Sequence, residues 1–82
     1  MNIEVRDLIT LSDNNKYVVS SKTNYNGINY YCLVDINKAK NLMFCYEDKD
    51  ELVEINDKEL VNKLLPLFYE SSKDLLNYLI NK

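Results

Sequence analysis

The pair Asn26-Gly27 constrains this chain more than any other feature of it. It lies between stretches in which apolar and polar residues alternate, Tyr17 to Tyr25 before it and Ile28 to Ile36 after it. A two-residue type I′ turn needs positive φ at both central positions, which Asn and Gly tolerate best, so the pair predicts a β-hairpin. A fixed turn fixes the register. Tyr25 then faces Ile28, Thr23 faces Tyr30, Ser21 faces Cys32, Val19 faces Val34 and Tyr17 faces Ile36. Side chains alternate along a strand, so these pairs share one mostly apolar face. Asn24, Asn29, Lys22, Tyr31, Ser20, Leu33, Val18 and Asp35 make up the other, mixed face. Tyr25 and Tyr30 are expected in the core with their hydroxyls at its margin. Tyr31 falls opposite Lys22, suited to a weak cation–π contact, and is expected at the surface or in an interface.

Further strands follow on either side of the hairpin. Asp7 to Leu11 reads as a strand that turns at Asp13-Asn14-Asn15 into Lys16-Tyr17-Val18-Val19. Asn41 to Tyr46 reads as a fourth strand and, after the turn signal Asp48-Lys49-Asp50, Leu52 to Ile55 reads as a fifth. Short connections imply an antiparallel meander. The loop from Asn37 leaves the fourth strand's register open. A shorter loop sets Cys32 opposite Cys45, whereas one residue more places Leu42, Phe44 and Tyr46 on the face of Cys32, Val34 and Ile36. The second choice makes one face cleanly apolar and is preferred. It puts the two cysteines on opposite faces, so no intramolecular disulfide is expected.

The C-terminal third changes period. Asn56 to Glu59 fits a capping box with Asn56 as N-cap, and Ile55 with Leu60 fits a hydrophobic staple. Leu60, Val61, Leu64, Leu65 and Phe68 lie on one helical stripe, and Pro66 is expected to kink or end the helix. Ser71 to Asp74 is a second helix-start signature, followed by a stripe of Leu75, Leu76, Leu79 and Ile80. The expected fold is therefore α+β: a five-stranded antiparallel β-meander over about 7–55, then two short helices over about 57–81 that cover the apolar face. A chain of 82 residues leaves room for one domain, 1–82.

The function classes that remain are set by what the chain lacks. It has no histidine, which removes the usual general base near neutral pH and the commonest zinc ligand. Cys32 and Cys45 are too far apart in sequence for a CxxC pair, and a single glycine rules out a phosphate-cradling loop. No catalytic, cofactor-binding or metal-binding residue is expected, and the chain is read as a non-enzyme. A net charge of −3 lacks the basic footprint that direct nucleic-acid binding requires. The N-terminal residues show no secretory signal and no apolar run is long enough for a membrane span, so a cytoplasmic protein is expected.

One asymmetry stands out. From Glu47 to Glu59 seven acids face two lysines, so this segment carries −5 and the rest of the chain +2. Its acids suit a solvated turn and a helix start, but they also form an acidic ridge able to dock on a basic surface. Glu47, Asp48, Asp50, Glu51 and Glu54, with Tyr31, are the candidate partner-binding residues. Separately, Pro66-Leu67-Phe68-Tyr69 and Tyr78 are expected to pack in the core or, alternatively, to form a dimer contact.

The run from Ile9 to Leu60 resembles a group of small proteins of Gram-positive bacteria, the domain-of-unknown-function 1292 type. The resemblance rests on the order of a strand, a turn at Asp13, a tyrosine-bearing strand, the Tyr25-x-Gly27-x-x-Tyr30 hairpin and an acidic strand–helix junction. It implies a related fold over that run and no activity, cofactor or catalytic residue. The second C-terminal helix departs from the pattern. Size, acidity and an Asn-, Lys- and Ile-rich composition are also similar to phage or mobile-element accessory proteins, including anti-CRISPR inhibitors.

The expected function is a small, acidic, non-enzymatic interaction protein that docks on a larger protein. In its most concrete form it is an inhibitor of a nucleic-acid-handling enzyme, with its acids standing in for phosphates. The alternative is a self-associating structural domain, a homodimer with no dedicated target.

Overall fold

The computed structural model describes residues 2–38 and 40–80, with the side chains of the C-terminal helix described as far as residue 70. Five strands, β1 (Leu8–Thr10), β2 (Lys16–Tyr25), β3 (Ile28–Asp35), β4 (Leu42–Asp48) and β5 (Glu51–Glu54), precede one helix, α1 (Lys58–Ile80). Each strand pairs antiparallel with the next, giving a curled sheet in the order β1-β2-β3-β4-β5.

The β2–β3 hairpin turns where the sequence places it. Asn26 and Gly27 have φ of 53° and 81°, as a type I′ turn requires. Tyr25↔Ile28, Thr23↔Tyr30 and Ser21↔Cys32 pair as expected. The register then slips by one: Val19 pairs with Leu33, Val18 with Val34 and Tyr17 with Asp35. Ser20 is the extra residue of a β-bulge, and this corrects the expected pairs Val19–Val34 and Tyr17–Ile36. A bulge turns every later side chain to the other face of the sheet. Tyr17 and Val19 therefore join Tyr31 and Leu33, while Val18 joins Val34.

That exchange explains why the sheet has a core on each side. One cluster holds Ile3, Tyr17, Val19, Tyr31, Leu33 and Cys45, with Ile9, Leu11, Met43 and Leu52 packed against it. The other holds Tyr30, Cys32, Ile55, Leu64 and Phe68, flanked by Tyr25, Phe44, Tyr46, Leu60 and Val61. Both serines at the bulge are fully buried. Ser20 Oγ donates to the Cys32 carbonyl at 3.0 Å, and Ser21 Oγ donates across the core to the Phe68 carbonyl at 2.7 Å. Buried hydroxyls need such partners, and the second bond ties sheet to helix.

The fourth strand takes the preferred register, with Cys32 opposite Phe44 and Tyr31 opposite Cys45. Cys32 and Cys45 are free, buried and on opposite faces. Burial pushes both thiols up, Cys45 to about 12, with the Glu54 charge adding to it. The protonated thiol is thus favoured at neutral and mildly alkaline pH. Both thiols are expected to react with a thiol reagent at pH 8 far more slowly in the native protein than after unfolding. Equal rates in the two states would contradict this burial.

The helix differs from expectation in two ways. Its N-cap is Asp57, not Asn56: Asp57 Oδ1 accepts from the amides of Glu59 and Leu60 at 3.0 and 3.4 Å, and the Asp57 carbonyl accepts from Val61. With the cap one residue later, the Ile55–Leu60 staple no longer has the required spacing. Nor are there two short helices, since α1 runs unbroken for 23 residues with Pro66 inside it. Proline costs the helix one amide, so the Asn62 carbonyl loses its partner. Asn62 and Pro66 both lie on an exposed part of the helix, where water can reach that carbonyl. The backbone of Ser71 to Asp74 continues the same helix. The side chains of Leu75, Leu76, Tyr78, Leu79 and Ile80 lie outside the described residues.

Candidate functional site

The expected acidic ridge sits on the β4–β5 hairpin, and the fold divides it. Lys49 and Asp50 form a two-residue turn with φ of 50° and 66°. Asp48 and Glu51 flank it as a direct cross-strand pair, and Asp48, Asp50 and Glu51 are exposed. Glu47 and Glu54 project to the opposite face, paired with Leu52 and Cys45. Glu47 points inward, where its Oε1 accepts the Tyr31 hydroxyl at 2.8 Å. The tip thus brings three of the five acids together and turns the other two away.

Tyr31 is fully buried, which corrects its expected place at the surface or in an interface. The Lys22 ammonium does lie 5.9 Å from its ring centroid, as the register implied. Lys22 also donates to the Ile3 carbonyl at 3.0 Å, so the N-terminal segment is pinned over this ring. Burial, then the hydrogen bond to Glu47 and its charge, holds the Tyr31 hydroxyl protonated well beyond the usual tyrosine range. Tyr31 is a neutral core donor.

A different surface emerges from the packing. Call the sheet end bearing the Asn26-Gly27 and Lys49-Asp50 turns the upper end, and the end with the loops 11–15 and 36–41 the lower. On the helix-bearing face, α1 covers the sheet at the level of Cys32 and Phe44, with Phe68 5.7 Å from Phe44. Below it, Leu8↔Val18, Val18↔Val34 and Val34↔Leu42 form one apolar row across four strands. Ile36 extends the row past the end of β3. Leu42, Leu65 and Tyr69 rim a groove of about 560 Å³ that has Cys32 and Phe44 at its floor and Pro66 on its helix wall.

The large hydrophobic residues exposed among the described residues are Leu8, Ile28, Ile36, Leu42, Leu65 and Tyr69. Leu42, Leu65 and Tyr69 gather at the groove, while Val34, only 2% exposed, separates Leu42 from Leu8 along the row. Such side chains scattered singly need no explanation, but a group of them around one apolar groove suits a contact site. Of this set the sequence pointed only to the Pro66–Tyr69 segment. Leu8 was missed because Val18 reaches this face only through the Ser20 bulge, whereas Ile36 and Leu42 were placed on the face but expected to lie beneath two helices. The sequence carried no local signal for the bulge, since Ser20-Ser21 fits strict alternation as well as it fits the bulged pairing.

Among the described residues, no three His, Cys, Asp or Glu side chains gather where they could hold a metal ion. No helix there is long and apolar enough to cross a membrane. No family model, curated protein or solved structure matches this chain. The reading of function therefore rests on the chain's own surfaces.

Proposed function

We propose that this chain is a non-catalytic protein-interaction protein whose binding surface is the lower apolar face. The observation that carries this reading is the apolar groove of the lower face, lined by Leu42, Leu65 and Tyr69, each 44–48% exposed. Apolar surface of this kind gains free energy when a partner excludes water from it. The paired substitution Leu42→Lys with Leu65→Lys tests the idea. Both positions are exposed, so the melting temperature of a dilute sample should stay within about 5 °C of the wild type. An anionic naphthalene dye that lights up on apolar surface should bind the wild type and not the variant. A fall in melting temperature of more than about 15 °C would mean that these side chains belong to the core.

The β4–β5 tip favours a second reading. Like charges directly opposite each other across a strand pair cost stability, and Asp48 faces Glu51. A cost retained at an exposed turn suits a surface that meets a basic partner, such as the nucleic-acid groove of an enzyme, with the carboxylates in place of phosphates. Converting Asp48, Asp50 and Glu51 together to Lys should then abolish binding to that partner while the far-ultraviolet spectrum stays native. Unchanged affinity would eliminate docking by charge.

A further inference from the structure

We infer that the partner segment seated in the groove is short and acidic: one or two large apolar side chains fill the recess, and carboxylates flank them. This rests on the contact-surface reading above. The first argument is size. Val34 is only 2% exposed, so the open apolar surface is confined to the groove and does not run on to Leu8. About half of each of Leu42, Leu65 and Tyr69 is exposed. At roughly 150–200 Å² per large side chain, this amounts to roughly 250 Å², against about 800 Å² on each side of a standard interface. A recess of about 560 Å³ with so little open surface around it suits the anchor side chains of a peptide, not a broad protein face.

The second argument is charge. Among the described residues, the charges that border the groove are basic, on a chain whose net charge is −3. Lys40 lies two residues before Leu42 on the groove rim, and the Lys38 carbonyl accepts the Asn41 amide in the same loop. Lys58 is one helical turn before Asn62 of the groove wall, so the two are neighbours on the helix surface. Lys16 alternates with Tyr17 and so shares the face of Val18. All four lysines are exposed.

The nearby acids are turned elsewhere. Asp35 accepts the Asn37 and Lys38 amides at 2.8 and 3.3 Å, and Asp13 accepts the Tyr17 hydroxyl at 3.1 Å on the opposite face of the sheet. Glu59 and Glu70 lie with Lys63 on the outward stripe of α1, beyond Pro66. Asp48, Asp50 and Glu51 sit beyond the far end of β4, about 20 Å from the groove by the length of that strand. The chain is thus basic around its apolar recess and acidic at the opposite end. Such a field draws an acidic segment to the groove and turns a basic one away.

Two blocked peptides test the inference on the full chain. Both carry one Leu-Phe-Leu anchor run, which glutamates flank in one and lysines in the other. By fluorescence anisotropy at about 50 mM salt, the glutamate peptide should bind at least about 30-fold more tightly. At about 500 mM salt the preference should shrink below about 3-fold. Lys40→Glu with Lys58→Glu should reverse it. Leu42→Lys with Leu65→Lys adds positive charge but spoils the groove, and should weaken the glutamate peptide at least about 10-fold. If that variant fails to fold by circular dichroism, Leu65→Lys alone takes its place. Tighter binding by the variant would show that charge alone holds the peptide, and would overturn the inference. Equal affinity for the two peptides, a preference for the lysine peptide, or no binding of either up to about 1 mM would overturn it too. The apolar dye then separates the two readings. Dye bound at the groove leaves the contact surface standing with another occupant, a second copy of the chain included, and no dye bound ends both.

Discussion

Val19→Asp is expected to leave the chain unfolded at room temperature. The Ser20 bulge pairs Val19 with Leu33 and so places it, 0% exposed, in the cluster around Tyr31 and Leu33. A buried carboxylate with no charge partner costs about 3–5 kcal/mol, and the lost valine packing adds to that. A domain of this size has about 4–12 kcal/mol of stability in all. Deletion of Ser20 is the milder counterpart, because closing the bulge keeps Val19 opposite Leu33 and Tyr17 opposite Asp35 and gives up the bond to the Cys32 carbonyl, about 1 kcal/mol. Circular dichroism and dispersion of the amide proton spectrum distinguish the outcomes. A Val19→Asp variant that melts near the wild type would show that the bulge does not turn Val19 into this core.

Phe68→Ala should destabilise the protein by about 3–5 kcal/mol, lowering its melting temperature by roughly 15–30 °C. Phe68 is 1% exposed, stacks against Phe44, and its carbonyl receives the Ser21 hydroxyl. It is the point where α1 is fastened to both β4 and β2. Leu65→Ala, three residues away on the groove side and 44% exposed, should cost under about 1 kcal/mol. Urea unfolding of the two variants side by side measures the contrast. Equal losses would mean that α1 is not seated as described.

The parts of the fold governed by local chemistry were legible in the sequence. Asn26-Gly27 set the turn and the upper half of the hairpin, and the preference for one apolar face set the register of β4. The bulge was not legible, because strict alternation placed Tyr17 and Val19 plausibly on one face, and nothing local distinguishes that from the bulged pairing. What decides it is non-local: the Cys32 and Phe68 carbonyls each accept a serine hydroxyl. The continuity of α1 through Pro66 has a similar origin, since proline and Ser71-to-Asp74 both signal a boundary and only the solvent beside Asn62 makes the missing bond tolerable.

The candidate site was less legible than the fold. Local charge density pointed to the residues from Glu47 to Glu54, but strand alternation divides them between two faces and Tyr31 holds Glu47 inward. The lower face is spread over β1, β2, β3, β4 and α1. Its members are ordinary aliphatic residues in sequence, and they become a surface only through the register.

Titration of the anionic naphthalene dye into the protein, followed in amide proton–nitrogen spectra, would locate the apolar contact surface residue by residue. Shifts should gather at Leu42, Phe44, Leu65 and Tyr69 around the groove, with Asn26, Gly27, Lys49 and Asp50 still. Shifts centred on the β4–β5 tip, or none at any dye concentration, would contradict the lower face as the contact surface.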